Sequence, residues 1–416
     1  MDKGYLIVSV YAKNVNKPVS DATVIVRGDN YEQTFTTNNV GKTPTIELNA
    51  PLKEYSLTPQ SQVRPYSIYQ VEVRKPGYET TIINGVEILP QETSLQNVFL
   101  PIAQAAQTSA FSVMAVETPT TPTNVINLPP HSLWEEAQTT TTRNIKTDDF
   151  RVYPDVLVPE YVIVHDGAPS DTTATNYYVL FTDYIKNVAS SEIYSTWPIE
   201  AIKANIYAII SFTMNRIYTE WYRSQGYNFT ITSLPSSDHT YVNNRTIFKT
   251  ISDTVDQIFN YYIQLPDKNF PFFAQYDDGI KTNNPGWLSQ WGSKSLADQG
   301  YNALQILRYY YPSTLTLQSA EDTVGLPTSF PGFDLRLGLC GEPTLQLQIM
   351  LNTISNNYPK IPKILPVTGQ YQDNTKVSVQ TFQEVFGLPV TGIVDITTWY
   401  RISYIYTAVN KMLQGL

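Results

Sequence analysis

Tyr184-Ile185-Lys186-Asn187-Val188-Ala189-Ser190-Ser191-Glu192-Ile193-Tyr194, continued by Ser195-Thr196-Trp197-Pro198-Ile199-Glu200-Ala201-Ile202-Lys203-Ala204, is the most informative stretch of the chain. Read as a helix, its first part puts Ile185, Val188, Ala189 and Glu192 at i, i+3, i+4 and i+7, so a carboxyl group continues an apolar stripe. Burial opposes ionisation, and such a carboxyl would keep its proton to higher pH and serve as a general acid near neutrality. Spacing alone also allows, and on its own favours, a plainer reading: a part-buried Glu192 paired with Lys203 or Arg216, or helping to cap the next helix. That next helix is long and amphipathic. Pro198 stands near its first position, Ile199, Ile202, Ile206, Ile209, Thr213, Ile217 and Trp221 follow at three-to-four spacing, and it is expected to end near Gly226. Further helices are expected over Arg245 to Gln264 and Ser295 to Tyr311, where Pro312 stops the run.

Upstream, short alternating runs at Leu6 to Tyr11, Ala22 to Val26, Thr45 to Leu48, Tyr69 to Val73 and Val98 to Leu100 are separated by turn residues, which predicts a β-sandwich over 1–102. The segment Lys17-Pro18-Val19-Ser20-Asp21-Ala22-Thr23-Val24-Ile25-Val26 resembles the transthyretin-like or carboxypeptidase-regulatory sandwich. Residues 103–158 turn to Thr, Pro, Ala and Gln, with Thr118 to Pro122 and Thr139 to Thr142 as the densest runs, and read as a linker or covering segment open to proteases. Residues 159–325 form the expected mixed α/β, helix-rich part, and 326–416 a small helical one with turns at Gly341, Gly369, Gly387 and Gly392. The expected fold class is therefore multidomain.

Composition restricts the function. Among 416 residues, 28 Lys and Arg stand against 37 Asp and Glu, a formal net charge of -9 that argues against nucleic acid or an anionic membrane as partner. Charged residues at 16% and aromatics at 12%, with 30 Tyr, suit folded polar surfaces that stack on sugars. The single Cys340 excludes an intramolecular disulfide and a thiolate-rich zinc site. His131, His165 and His239 are too widely spaced for a metal motif, so no metal or cofactor is expected. No run approaches the roughly 18 apolar residues of a membrane span. The start, Met1 to Val10, alternates like a strand and is not a standard signal peptide.

The string Val188 to Ala204 resembles the signature of the stage II sporulation protein D family, and more closely the clostridial spore cortex-lytic enzymes. A second block, Leu288-Ser289-Gln290-Trp291-Gly292-Ser293 with Leu296-Ala297-Asp298-Gln299-Gly300 and Ile306 to Tyr311 beyond it, is similar to that family's second motif. The resemblance implies a lytic transglycosylase in which Glu192 is the catalytic acid and base, cleaving between N-acetylmuramic acid and N-acetylglucosamine to leave a 1,6-anhydro sugar. Gln290 and Trp291 are then candidates for a polar contact and a sugar-stacking face, with Ser289 and Lys203 as further substrate-binding candidates. A hydrolase would need a second carboxylate, and Asp277 and Asp278 are read equally well as exposed loop charges. Two departures stand out. The loop from Ala274 to Gly286 lacks the cysteine pair of relatives, and Ile209-Ile210-Ser211 replaces an Ala-Arg-Thr run.

Leu345 to Asn352, Val367 to Tyr371, Val379 to Gln383 and Val390 to Asp395 resemble the three-helix peptidoglycan-binding domain, in which Gln383, Asp395 and Trp399 are read as structural or ligand-facing. Together the resemblances imply a zymogen at the spore cortex or the extracellular wall, in which the sandwich over 1–102 and the linker over 103–158 form a prosegment removed by a subtilisin-like germination protease cutting near Phe150 to Val158, with peptidoglycan glycan strands as partner. A phage or contractile-particle wall-degrading component and a catalytically inactive peptidoglycan-binding structural protein are the alternatives.

Overall fold

Alternation decides the first strand. In β1 (Asp2–Ala12) Leu6, Val8, Val10 and Ala12 are buried, and in β5 (Ile46–Ala50) Ile46, Leu48 and Ala50 point in while Glu47 and Asn49 point out. β1 pairs antiparallel with β2 (Lys17–Pro18) and β5, and parallel with β8 (Thr93–Leu100) from Tyr5↔Thr93 to Ala12↔Leu100. The second sheet runs β4 (Tyr31–Thr36), β3 (Thr23–Gly28), β6 (Ser67–Arg74), β7 (Thr80–Ile88), β9 (Thr123–Asn127). Val24, Val26, Val71, Val73 and Ile83 from this sheet share one core with Leu6, Val8 and Val10 from the first. A short helix, α1 (Glu54–Leu57), follows β5.

The computed structural model describes residues 1–409 apart from 14–16, 40, 104–122, 132–155, 160, 321–330, 332, 387, 396, 397, 400, 404, 407 and 408. The runs at Thr118 to Pro122 and Thr139 to Thr142, most of the span from Phe150 to Val158, and the turn at Gly387 lie outside the described residues. Within the stretch read as linker, β9 is a strand. It joins β7 in parallel from Thr80↔Thr123 to Asn84↔Asn127. Gly85, at φ +87°, makes room beside it, because a Cβ there would stand 2.5 Å from the Leu128 carbonyl oxygen.

In the middle part, β10 (Tyr161–His165) lies between β11 (Asn176–Leu180), antiparallel, and β12 (Ile231–Thr232), parallel. α2 (Phe181–Glu192) follows β11 directly, and α3 (Ile199–Tyr218) is the central helix. The expected one-sided helix is instead enclosed almost all round: every residue of α3 except Ile199, Glu200, Lys203 and Ile217 is buried. α3 also stops at Tyr218, and a 3-10 turn at Arg223–Gln225 carries the chain to Gly226 at φ +89°.

The expected helix Arg245 to Gln264 is shortened at both ends by sheet pairing. β13 (Ile247–Phe248) adds to the edge of β8, α4 spans Lys249–Ile258, and β14 (Tyr261–Gln264) pairs with β17 (Thr316–Ser319). Tyr276–Asp277 forms β15 beside β16 (Leu288–Ser289). The run Ser295 to Tyr311 is two helices, α5 (Gln290–Asp298) and α6 (Ala303–Tyr310). Gly300 at φ +90° ends the first, and Asn302 and Gln305 cap the second reciprocally at 2.9 Å.

The C-terminal part has its own core around Leu347, Leu351, Phe382, Trp399 and Ile402, carried by α7 (Glu342–Asn357), α8 (Asp373–Val385) and helical residues between Thr398 and Val409. Two buried amides organise it in parallel ways. Gln348 Oε1 accepts from the backbone N–H groups of Thr368 and Gly369 at 3.0 and 2.9 Å, and Gln383 Oε1 accepts from Thr391 and Gly392 at 3.0 and 2.9 Å. Each Val-Thr-Gly turn is thus clamped by a glutamine. Gln383→Ala strips two buried N–H groups of their acceptor and is expected to cost about 1–3 kcal/mol, read from urea unfolding followed by C-terminal tryptophan environment.

Candidate functional site

Glu192 is the last residue of α2, at the end of the stripe formed by Ile185, Val188 and Ala189, and it is 0% exposed. Its Oε1 accepts from Thr240 N at 2.6 Å and its Oε2 from the Tyr276 hydroxyl at 2.5 Å. Burial pushes its pKa up to about 7 against the hydrogen bonds from Thr240 and Tyr276, which hold it down. The negative end of the α2 dipole acts in the same direction as burial. Neither cation proposed for it is its partner. Lys203 pairs with Glu200 at 2.9 Å, and Arg216 with Asp238 at 2.8 Å.

The Arg216–Asp238 pair holds the loop that supplies Thr240. Asp238 also accepts from the Tyr222 hydroxyl at 2.6 Å and from Thr232 N and Oγ1 at 2.9 and 2.7 Å. The Arg216 guanidinium lies 4.4, 4.7 and 5.0 Å from the ring centres of Trp221, Phe273 and Phe212. Asp238 therefore ties the turn that delivers His239 and Thr240 to β12 through Thr232 and to α3 through Arg216. His239 is wholly buried. Its ring lies against Phe212 and Tyr276, its Nδ1 is 2.9 Å from the Tyr184 hydroxyl, and burial, then the Arg216 charge, keep it neutral by lowering its pKa well below the ordinary range.

Tyr276 is delivered by β15, within the stretch from Ala274 to Gly286. Asp277 and Asp278, read from sequence as exposed charges, are buried at 1% and 4% exposure. Asp278 accepts from the N–H groups of Ile280, Lys281 and Thr282 at 3.0, 3.0 and 2.8 Å, and Asp277 from Asn284 N and Nδ2 at 2.7 and 3.1 Å. Two carboxylates thus close this loop by gathering backbone donors. Burial raises the Asp277 pKa to about 6.

The Ser-Gln-Trp-Gly block begins α5. Ser289 is its N-cap, accepting from Gly292 N at 2.9 Å, so its hydroxyl is committed to the helix. Gln290 is 0% exposed, and its carbonyl accepts from the Ser293 hydroxyl. A Cβ on Gly292 would stand 1.9 Å from the Tyr310 hydroxyl, which is why a glycine follows the tryptophan. Trp291 packs against Trp197 and Tyr194 at ring distances of 4.9 and 6.2 Å and is 8% exposed. Of the substrate-binding candidates, Trp291 alone lines the open cleft of about 440 Å³ beside Tyr194; Ser289, Gln290 and Lys203 do not. Trp399 is 1% exposed in the C-terminal core and, away from that cleft, lines a small pocket shared with Tyr161, Tyr178 and Glu342.

The sequence reading missed Thr240, Tyr276 and Asp238. Thr240 acts through its backbone, which no side-chain pattern reports, and Tyr276 is one of 30 tyrosines. No group of three or more His, Cys, Asp or Glu able to hold a metal, and no helix long and apolar enough to cross a membrane, occurs among the described residues.

The raised pKa has a thermodynamic signature. Between the ordinary value of 4.5 and about 7 the unfolded chain releases the Glu192 proton while the folded chain keeps it. Folding then binds a proton, so stability falls as pH rises through this window. Glu192→Gln should match the native chain in stability near pH 4 and exceed it by up to about 3 kcal/mol near pH 8. Urea unfolding at both pH values checks this, and a difference that does not change with pH sinks it.

No curated protein matches the chain. Among solved structures, it is similar to the TIE protein of Bacillus anthracis at 17% identity over 24% of this chain and 17% of that one, with a TM-score of 0.19. It is also similar to a type II cohesin-X-dockerin complex from Acetivibrio cellulolyticus (12% identity, 26% and 64% covered, TM-score 0.18) and to the catechol 1,2-dioxygenase of Acinetobacter radioresistens (16%, 27% and 56%, TM-score 0.17). The chain spans less than two thirds of each, and at such TM-scores these likenesses bear on neither fold nor activity. Residues 340–402 match the family described as "Putative peptidoglycan binding domain", which supports peptidoglycan binding by the C-terminal part and a role connected with the cell wall.

Proposed function

We propose that the chain is a peptidoglycan lytic transglycosylase, with Glu192 as its acid and base and the C-terminal part holding the glycan. The observation that carries this reading is a buried carboxyl, without a cationic partner in its hydrogen bonds, whose pKa stands at about 7. Such a group is available both as acid and as base near neutral pH. In the reaction, protonated Glu192 donates to the oxygen between N-acetylmuramic acid and N-acetylglucosamine. The C1–O bond breaks with its electron pair going to the departing oxygen. The C6 hydroxyl oxygen of the muramic residue bonds to C1, its proton passes to the Glu192 carboxylate, and no water is consumed. The resemblance in the Glu192 and Trp291 blocks supports this chemistry, and it also supports a spore-cortex or wall location and a chain cut by a subtilisin-like protease near Phe150 to Val158.

One observation favours a second reading. Glu192 is 0% exposed with both oxygens engaged, so a substrate reaches it only if the cover formed by Tyr276 and the Thr240 turn shifts. If that cover never opens, Glu192 is a structural residue and the chain a wall-binding protein.

Mass analysis of decoated spores or sacculi digested with the full chain separates the two. The lytic reading expects anhydro-muramic products that fall at least a hundredfold in Glu192→Gln; reducing-end products would make it a hydrolase, and none would leave the binding protein. Tyr276→Phe removes a donor to the charged carboxylate and so should raise the Glu192 pKa further. An acid catalyst then keeps its proton to higher pH, and the alkaline limb of the rate profile is expected to move up.

A further inference from the structure

The cleft beside Tyr194 and Trp291 has two walls from different parts of the chain. Tyr194, Trp291 and Asp278 line it from the middle part, and Tyr55, Gln60 and Gln62, from α1 and the loop after it, from the N-terminal part. Its volume of about 440 Å³ lies within the roughly 300–1,000 Å³ of small-molecule sites. Aromatic side chains and side-chain amides lining one cleft suit a sugar, which offers C–H faces to stack and hydroxyl and acetamido groups to hydrogen-bond. His131 reaches the same cleft from the end of the β9 segment, its ring stacked on Tyr194 at 4.7 Å and 10° and its Nδ1 3.8 Å from Glu87 Oε2.

The second wall is not loosely attached. β13 of the middle part extends the N-terminal sheet at β8, through Ile247↔Leu95 and Phe248↔Ser94. Trp197 Nε1 donates to the Ser56 carbonyl at 2.9 Å, and the Thr196 hydroxyl to Ser56 Oγ at 2.7 Å. The Thr246 hydroxyl donates to Gln96 Oε1 at 2.6 Å, and Gln96 Nε2 to the Asn244 carbonyl at 3.1 Å. Arg245 stands 3.8 Å from Glu87, with both side chains 2% exposed. Tyr66 and Leu89 belong to the apolar core of the middle part. Separating the two parts would break a sheet, expose that core and strand buried polar groups.

We propose that the N-terminal two-sheet part is a permanent wall of the glycan cleft, with the loop around Gln62 contacting the glycan strand in the cleft that Trp291 also lines, and that it stays docked when the chain is cut near Phe150 to Val158. This rests on the lytic reading for the identity of the ligand. It turns the N-terminal part from a removable cover into a component of substrate recognition.

The test uses the full chain carrying Glu192→Gln and a tetrasaccharide of alternating N-acetylglucosamine and N-acetylmuramic acid, followed by titration calorimetry. Gln62 is exposed, so its replacement leaves the fold intact. Gln62→Ala is expected to weaken one binding step three- to tenfold, and Gln62→Trp, which fills the cleft, to abolish it while any step at the C-terminal part persists. Identical isotherms for all three proteins, including no binding in any, overturn the proposal. Because this readout needs no turnover, a Gln62-dependent step in a chain that yields no anhydro product would retire the catalytic reading and leave the cleft standing. After cleavage near Phe150 to Val158 by a subtilisin-like protease, the two fragments should co-elute on gel filtration without denaturant. Their separate elution also overturns the proposal.

Discussion

A carboxyl group buried at the end of a helix must be given hydrogen-bond donors or kept neutral, and much of the middle part is arranged around that requirement for Glu192. One donor is the Thr240 backbone and the other the Tyr276 hydroxyl. Each arrives on a turn that would not hold its shape unaided. The Thr240 turn is tied down by Asp238, whose negative charge is matched by Arg216 inside an aromatic surround. The strand bearing Tyr276 runs into a loop closed by Asp277 and Asp278, and Gly279, at φ +76°, lets that loop lie on Ser289, the cap of α5. Two hydrogen bonds do not outweigh complete burial, so the balance leaves the carboxyl near neutrality in its titration.

The three parts of the chain are joined in different ways. The N-terminal sheets share a strand pairing, a buried ion pair and core residues with the middle part. The C-terminal helices keep a separate core and meet the middle part through polar contacts at its surface, such as the Tyr161 hydroxyl to Glu342 at 3.4 Å and the Tyr178 hydroxyl to the Pro331 carbonyl at 3.0 Å. A module attached at its rim can recognise wall polymer independently, whereas parts that share a sheet act together on whatever lies between them.

Local sequence was readable wherever a single period governed burial. Leu6, Val8 and Val10 announce a strand because alternate residues of one sheet face the core, and Ile185, Val188, Ala189 and Glu192 announce a helical face because nothing but packing sets that spacing. Reading failed where a segment answers to two masters. Arg245 to Gln264 has helical spacing, yet its ends are claimed by neighbouring strands, and α3 shows a one-sided pattern while being covered on nearly every side. β9 is short and set among Thr and Pro, so only the exposed edge of β7 makes it a strand.

The sequence by itself determined that Glu192 ends an apolar stripe, that Gly292 follows Trp291, and that the last part repeats Val-Thr-Gly turns, because these are relations between near neighbours along the chain. Only the tertiary structure decided what the carboxylate touches. Thr240 and Tyr276 are 48 and 84 residues away, Lys203 and Arg216 are spoken for by other carboxylates, and the cleft that Trp291 lines is shared with α1 and the loop after it. The reason is physical: periodicity records which side of an element is dry, whereas hydrogen-bond partners and cleft walls are chosen by chain folding between elements, and that leaves no period to read.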